Sequence, residues 1–261
     1  MTRDTVIFDF GGVITSSPFE AFNRMEAERG LPHNLVRRIN STNPDGNAWA
    51  LFERAEIDAA RFDSLFAEEA RAFGYDLPGR DVLALLSGDI RPAMVAALDW
   101  LKANGYRIGC ITNNVPAGHG AQMSLTAEKA AAIAAIMTRF NHVVESSRIG
   151  IRKPDPAIYR LACDALGVTP DQCVYLDDLG INCKPAAALG MAAIKVSTGA
   201  QALADLETAL GLMTKHRALE DTIKRAQHYG AIARDALALF PASEMKQALE
   251  EAVEFCTART H

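Results

Sequence analysis

Short β-rich segments alternate with helical patterns along most of the chain, and this alternation restricts its fold more than any other feature. The predicted strands are apolar and rich in β-branched or aromatic residues, at 5–10, 106–111, 142–144, 173–176 and 192–196. Such segments are typical of strands that are buried on both faces. Helical patterns at 127–139, 156–166 and 184–189 separate the last four strands. The sequence therefore predicts an α/β fold with right-handed βαβ units and a Rossmann-like parallel sheet.

The segment between the first two predicted strands does not fit a simple crossover. A crossover needs only about a dozen residues, whereas this segment carries helical patterns near 19–29, 33–40, 47–56, 59–73, 80–87 and 92–104. A helical decoration of the fold is one explanation. We favour a helical cap domain inserted above the carboxyl edge of the sheet, where open α/β sheets bind ligands.

These patterns divide the chain into three predicted parts. Residues 1–15 and 91–205 form the α/β core, residues 16–90 form the cap, and residues 206–261 form a helical C-terminal extension. The extension has no strand pattern, and a fresh helix is predicted to begin after Pro241.

Composition excludes several kinds of partner. There are 27 Lys and Arg against 32 Asp and Glu, a net charge of −5, which argues against nucleic acid or an anionic membrane as the main partner. No apolar run approaches the roughly 18 residues of a membrane span, and the first ten residues have too short an apolar stretch for a signal peptide. The five cysteines are scattered without C-x-x-C spacing. We expect a cytoplasmic protein with reduced thiols.

Chemically active residues follow the first two strands. Asp9 leaves an apolar strand just before Gly11-Gly12, and a carboxylate there is costly to bury unless a cation or a reaction uses it. The glycines let the backbone bend closely, so that a main-chain carbonyl can also reach a metal. Thr112 and Asn113 follow the second strand and suit an anion cradle. A turn-capping Asp and an ordinary loop start are the structural alternatives.

Two further segments carry charge at predicted strand ends. Lys153 precedes Pro154, which fixes the local backbone, and a point cation suits phosphate neutralisation. Asp177 and Asp178 follow a buried strand, where two adjacent carboxylates repel each other unless a divalent cation such as Mg²⁺ binds. A solvated lysine and a solvated acidic turn are the alternatives.

The four segments together indicate more than each does alone. A parallel sheet collects its strand ends at one edge, so Asp9, Thr112, Lys153 and Asp178 are expected to surround one volume. A nucleophile, a hydroxyl, a cation and a metal site suit phosphoryl transfer through an aspartyl-phosphate. The segment PAGHG that follows the Thr112 loop raises the question of whether His119 approaches this volume, although a solvated histidine is the more common case.

The blocks FDFGGV, CITNN, ESSRIGIRKPDPAIY and YLDDLGINCKPAAALGMAAIKV resemble, in order, the motifs of the haloacid dehalogenase superfamily. The resemblance covers about residues 4–200 and is closest to its phosphatases with a small helical cap. The last two blocks are similar to the N-terminal phosphatase-type domains of soluble epoxide hydrolase and of certain fused acyl-CoA dehydrogenases. The resemblance implies a mobile cap around 16–90 that closes over the site and selects substrates.

The resemblance also implies roles for individual residues. Asp9 is then the nucleophile, Thr112 and Asn113 hold the phosphate, and Lys153 neutralises it. Asp9, the main-chain carbonyl of Gly11 and Asp178 are then direct Mg²⁺ ligands, and Asp177 beside Asp178 belongs to the same metal site through a water. The implied reaction is the hydrolysis of a small phosphorylated metabolite.

The chain departs from this pattern at Gly11. Most phosphatases of the group carry a second Asp at this position, as general acid and then base, and such a group is worth ~10²–10⁴ in rate. Three readings remain open: substrates with good leaving groups, a replacement acid from the cap, or a catalytically weak or inactive binding protein. A 2-haloacid dehalogenase is a further alternative, which the Asp177-Asp178 pair disfavours because dehalogenases need no metal.

The segment that begins near Leu210 resembles the C-terminal helices of bacterial polyprenyl diphosphate synthases. It lacks their paired Asp-rich motifs, so no prenyl transfer is expected from it. Its apolar positions lead to the hypothesis of a homodimer that forms through the C-terminal helices.

Overall fold

A computed structural model describes residues 3–115, 126–211, 228–237 and 243–258. Five parallel strands form one sheet in the order β3-β2-β1-β4-β5. The strands are β1 (Thr5–Phe8), β2 (Arg107–Thr112), β3 (His142–Glu145), β4 (Cys173–Asp177) and β5 (Ala192–Lys195). The predicted strands and the predicted α/β class are confirmed.

Eleven α-helices are described before residue 211. In chain order they are α1 (Pro18–Glu28), α2 (Leu35–Ser41), α3 (Ala48–Glu53), α4 (Ala59–Ala72), α5 (Gly79–Leu83), α6 (Pro92–Ala103), α7 (Ala127–Met137), α8 (Ser146–Ile149), α9 (Pro156–Leu166), α10 (Gly180–Ala188) and α11 (Gly199–Ala209). A short 3₁₀-helix, Pro170–Gln172, precedes β4. Every residue of β1 and β4 is buried, which explains why both strands read as continuous apolar runs.

The register of the sheet brings the functional strand ends to one edge. Phe8 of β1 lies opposite Cys110 of β2 and Leu176 of β4. The main-chain N–H of Asp9 donates to the carbonyl of Leu176 at 2.8 Å, so Asp9 stands level with the end of β4. Thr112 is the last residue of β2. The carboxyl edge of the sheet therefore presents the residues that the sequence singled out.

Helices α1–α5 occupy the predicted cap segment and share an apolar cluster, to which Val115 from the loop after β2 also belongs. Phe62 is at the centre of this cluster, with ring centroids 4.8 Å from Phe52 and 5.6 Å from Phe66, both in stacked geometry. The two linkers to the cap run side by side, since Thr15 and Ile90 form an antiparallel bridge. The cap thus leaves and rejoins the core at one place.

The first compact unit extends to Leu210, and Gly211–His261 form a second one. Helix α11 continues past the predicted core boundary at residue 205. It is one helix that packs on the sheet, and its buried residues Ala202 and Leu206 lie on both sides of that boundary. The second unit contains helical residues 228–237 and a helix Glu244–Ala258. The rest of the segment with the polyprenyl-synthase resemblance lies outside the described residues, and the homodimer stays a prediction. Among the described helices, none has the length and apolar character that crossing a membrane requires.

Candidate active site

Lys153 is the centre of the charged cluster at the carboxyl edge of the sheet. Its Nζ lies 2.8 Å from Asp9 Oδ1 and 2.8 Å from Asp177 Oδ2, and it donates to the carbonyl of Ile111 at 3.1 Å. The lysine side chain is 1% exposed and Asp177 is fully buried. The structure thus brings the predicted nucleophile, the predicted cation and the acidic pair together.

The loop after β2 positions Lys153 through its main chain. The side-chain oxygen of Asn113 accepts from the N–H of Lys153 at 2.8 Å, and its Nδ2 donates to the carbonyl of Lys153 at 3.0 Å. The Asn113 amide is therefore engaged in holding the lysine backbone. Thr112 is buried and lines the same cavity as Asp9 and Lys153, so its predicted contact with phosphate is compatible with its place.

Asp177 is saturated with hydrogen-bond donors. Its Oδ2 accepts from Lys153 Nζ and, at 2.6 Å, from the hydroxyl of Tyr175. Its Oδ1 accepts from the N–H of Leu179 at 2.8 Å, and Asn182 Nδ2 lies 3.1 Å from both oxygens. A carboxylate that already accepts this many hydrogen bonds has few lone pairs left for a metal. Asp177 therefore positions the lysine and is not the direct metal ligand of the pair.

Asp178 is less enclosed, and its surroundings are built by the first linker to the cap. The hydroxyl of Ser17 donates to Asp178 Oδ2 at 2.8 Å. Gly12 has a φ of +80°, and a Cβ on it would collide with the Asp178 carboxylate. The second glycine of Gly11-Gly12 is therefore required both by backbone conformation and by close approach.

The cluster has more negative than positive charge. Burial raises the pKa of Asp9 well above its ordinary value, and the repulsion from Asp177 and Asp178 adds to this, while Lys153 opposes it. Burial also raises the pKa of Asp178. Burial alone would lower the pKa of Lys153, but the charges of Asp177 and Asp9 outweigh it and raise that pKa. Three carboxylates against one ammonium leave a deficit of positive charge.

These residues fit a divalent cation. One carboxylate oxygen each of Asp9, Asp177 and Asp178 lies within 4.8 Å of the others, and hard oxygen donors are the ligands that Mg²⁺ prefers. Since Asp177 is occupied by donors, Asp9 and Asp178 are the carboxylates that would hold the ion. Gly11 lines the same cavity, so its place is compatible with the predicted carbonyl ligand.

A cavity of about 560 Å³ opens above this cluster, between the sheet edge and the cap. The core contributes Asp9, Thr112 and Lys153 to its lining, and the cap contributes apolar rings that include Phe19 and Trp49. This volume is within the usual range of small-molecule sites.

Glu53 of helix α3 joins the cap to the loops that carry the site. Its Oε2 lies 2.6 Å from Nε of Arg152 and accepts from Nδ2 of Asn113 at 3.1 Å, and its Oε1 accepts from the indole N–H of Trp49 at 2.8 Å. The hydroxyl of Ser146 donates to its main-chain carbonyl at 2.8 Å. Burial raises the pKa of Glu53, and Arg152 only partly offsets this.

Sequence reasoning missed several of these residues. Asn182 belongs to the quoted DDLGIN segment, and its spacing from Asp177 was a usable signal, whereas Tyr175 reads as an ordinary strand residue. Ser17 and Glu53 reach the site only through the placement of the cap, which no local pattern reveals. His119 lies outside the described residues.

Comparison with known proteins identifies relatives of this chain. A family model for haloacid dehalogenase-like hydrolases matches residues 3–190. The chain is 30% identical to mouse bifunctional epoxide hydrolase 2 over 81% of its own length and 39% of that protein, and therefore spans about two fifths of that relative. It is 29% identical to phosphatase MT3486 of Mycobacterium tuberculosis over 77% of the chain and 90% of that protein.

A solved structure shares the fold. L-2-haloacid dehalogenase from Xanthobacter autotrophicus superposes with a TM-score of 0.51 at 18% identity, over 76% of this chain and 78% of that one. The match to the family model, which covers most of the compact unit that carries the site, shows the family, and the sequence-based resemblance is confirmed. The chain belongs to the haloacid dehalogenase-like hydrolases.

Proposed function

We propose that this hydrolase is a Mg²⁺-dependent phosphatase that cleaves a small-molecule phosphate monoester through an aspartyl-phosphate on Asp9. The observation that carries the proposal is the Asp9 carboxylate, held 2.8 Å from Lys153 Nζ beside Asp178 on one wall of a cavity of ligand size. The similarity to a protein named as a phosphatase supports it.

The proposed reaction consists of two displacements at phosphorus. Asp9 Oδ1 accepts hydrogen bonds from Lys153 and from the N–H of Phe10, which fix the carboxylate for attack. Attack by the carboxylate forms an O–P bond to Asp9 and breaks the bond from phosphorus to the ester oxygen, which leaves with the electron pair. Water then attacks the same phosphorus and the O–P bond to Asp9 breaks, which releases phosphate and regenerates the carboxylate. The proton that the attacking water loses to solvent balances the proton that the departed leaving group takes up.

Positive charge around the phosphoryl oxygens is what this site supplies. In this proposal Lys153 balances part of the charge that spreads over those oxygens, and Thr112, which lines the same cavity, donates to them. A Mg²⁺ ion held by Asp9 and Asp178 would contribute Lewis-acid charge at the same place. Asp177 acts on the reaction only by positioning Lys153.

Gly11 stands where a general acid would protonate the leaving oxygen, so position 11 supplies no group for that step. The cap carboxylate Glu53 lines the cavity, but its oxygens accept hydrogen bonds from Arg152, Asn113 and Trp49. Glu53 is thus engaged as an ion-pair partner. We therefore propose substrates whose leaving groups need little protonation, such as anomeric sugar phosphates or acyl phosphates.

A panel of phosphorylated metabolites, assayed for phosphate release with and without Mg²⁺, tests this function. We expect Mg²⁺-dependent release that is abolished in Asp9→Asn. Asp4→Asn is a matched control, since Asp4 directly precedes the same strand at its other end and does not line the cavity. Rates should fall as the pKa of the leaving group rises.

Two outcomes would change the assignment. Equal rates on alkyl and aryl phosphates would contradict the leaving-group argument. Absence of phosphate release from every substrate would favour a binding protein, and release of halide from fluoroacetate or 2-chloropropionate without Mg²⁺ would favour a dehalogenase, the chemistry that position 11 leaves open.

A further inference from the structure

The cap side of the cavity carries polar groups that the protein itself does not use. Asn40 of helix α2 and Ser87 of the second linker line the cavity. The side-chain oxygen of Asn40 and the hydroxyl of Ser87 are buried and have no hydrogen-bond partner within the described parts of the chain. Buried polar atoms are almost always satisfied in folded proteins, so two such atoms in residues that line one cavity point to a polar ligand there.

Arg37 stands on the same face of α2, three residues before Asn40, and also lines the cavity. Its guanidinium carbon lies 4.0 Å from the ring centroid of Phe19. Stacking of this kind orients the planar group and leaves its N–H donors at the edge available. Arg37 therefore brings a cation, held over the ring of Phe19, to the lining of the cavity.

The other two cations of the cavity are already paired. Lys153 is bound by Asp9 and Asp177, and Arg152 by Glu53. No ion pair found within residues 3–115 and 126–211 uses Arg37. Asp45 also borders the cavity and is exposed. A guanidinium without an ion pair, in the same lining as Asn40 and Ser87, suits an anion that carries a hydroxyl.

The cavity is also much larger than one phosphate requires. Its volume of about 560 Å³ leaves room for a carbon skeleton beside the phosphoryl group. Arg37 lines the same cavity as Asp9 and Lys153, and apolar side chains that include Phe22 and Leu86 are also in the lining. One ligand that contacts both Lys153 and Arg37 is therefore compatible with the cavity.

We propose that Arg37, Asn40 and Ser87 form a subsite for the non-reacting end of the substrate, which carries a second anionic group and a hydroxyl. The inference rests on the proposed phosphatase function and specifies its substrate class as hydroxylated phosphate esters with a second carboxylate or phosphate. Arg37 binds the second anion, Asn40 accepts from a substrate hydroxyl, and Ser87 bonds either group.

Matched substrate pairs test the subsite. The pair 3-phosphoglycerate and glycerol 3-phosphate differs by a carboxylate, and the pair fructose 1,6-bisphosphate and fructose 6-phosphate differs by a second phosphate. The native protein should prefer the anionic member of at least one pair by about 10–100-fold in kcat/KM, the range expected for a hydrogen-bonded charge. The pair that shows the preference identifies the anion.

Arg37→Gln should remove that preference through KM, with little change for the neutral member. Arg38→Gln is the matched control, because Arg38 is the next residue on the same helix, lies 5.5 Å over the ring of Phe73, and does not line the cavity. Arg37→Lys, which keeps the charge without the fork, should retain part of the preference. Arg37 is exposed, so none of these variants should unfold the cap, and thermal melting checks this.

A binding measurement separates failure of the subsite from failure of the proposed function. In an Asp9→Asn background, calorimetry should show weaker binding of the preferred anionic substrate when Arg37 is replaced, and unchanged binding of inorganic phosphate. If the native protein releases phosphate but prefers neither anionic member, the subsite is wrong and the phosphatase stands. If Arg37→Gln weakens phosphate itself or both members equally, Arg37 serves the reacting phosphate and the inference is overturned. If no substrate turns over, calorimetry with 3-phosphoglycerate and fructose 1,6-bisphosphate decides the subsite, because replacement of Arg37 should weaken the binding of at least one of them and leave inorganic phosphate unchanged.

Discussion

The effect of Gly11→Asp can be worked out from the structure in some detail. No heavy atom lies within 4 Å of a Cβ built on Gly11, and its φ is outside the left-handed region. An aspartate therefore enters the cavity without backbone strain and stands two residues after the nucleophile Asp9. A positioned general acid contributes ~10²–10⁴ in rate, which corresponds to about 2.7–5.4 kcal/mol of barrier.

The gain should depend on the leaving group. For ethyl phosphate, whose alkoxide must be protonated, we expect kcat/KM to rise about 10²-fold, the lower end of that range because the loop has not adapted to the new side chain. For acetyl phosphate, whose leaving group is already stable as an anion, the change should be less than about threefold. The Asp9, Asp177 and Asp178 carboxylates near the new group will raise its pKa, which favours an acid.

Phosphate release across a series of alkyl, aryl and acyl phosphates measures this effect as a change in slope against leaving-group pKa. Gly11→Asn is the matched control, because it has the same shape and no proton to donate at neutral pH. Gly12→Ala should instead abolish activity through its collision with Asp178. The reasoning is refuted if Asp and Asn at position 11 give the same slope.

Further predictions concern charge and domain boundaries. Lys153→Met leaves two buried carboxylates without their cation and should destabilise the protein by about 3–5 kcal/mol, measured by urea unfolding, whereas an unchanged midpoint would contradict the pairing. Asp178→Asn should raise the Mg²⁺ concentration for half-maximal phosphate release at least about tenfold, followed by metal titration of the activity. A double-mutant cycle of Glu53→Gln with Arg152→Gln should show about 1–3 kcal/mol of coupling, since both side chains are mostly buried, and additive effects would remove the proposed link between cap and core. A chain that ends at Leu210 should keep its phosphate release per molecule, while loss of a dimeric mass by light scattering would support the homodimer hypothesis.

The residues that could be predicted from the sequence are those whose positions follow from strand order. Asp9, Thr112 and Asp177 stand at the carboxyl ends of β1, β2 and β4 or directly after them, and a parallel sheet necessarily gathers such ends. The burial of the strands made them visible as short apolar runs. Lys153 was predictable because prolines restrict the loop that carries it.

The residues that could not be predicted reach the site from distant segments. Glu53 contacts Arg152 across 99 positions of sequence, and Ser17 contacts Asp178 across 161. These contacts depend on how the cap packs on the α/β core. That packing is set by tertiary contacts, which the local periodicity of the sequence does not reveal. Arg37 likewise looks like one of many helix-surface cations until the ring of Phe19 and the cavity appear beside it.

The side-by-side linkers of the cap have a consequence for how such proteins diversify. Thr15 bridges Ile90, the N–H of Ser16 donates to Asp89, and the N–H of Arg91 donates to Ile14, so the two ends of the insertion are fastened to each other. The distance between the two points where the cap joins the core is therefore fixed, however many residues the cap contains. Replacement of the whole segment between the linkers would leave the strand ends and their charged residues in place. Substrate specificity can therefore change through exchange of the cap alone.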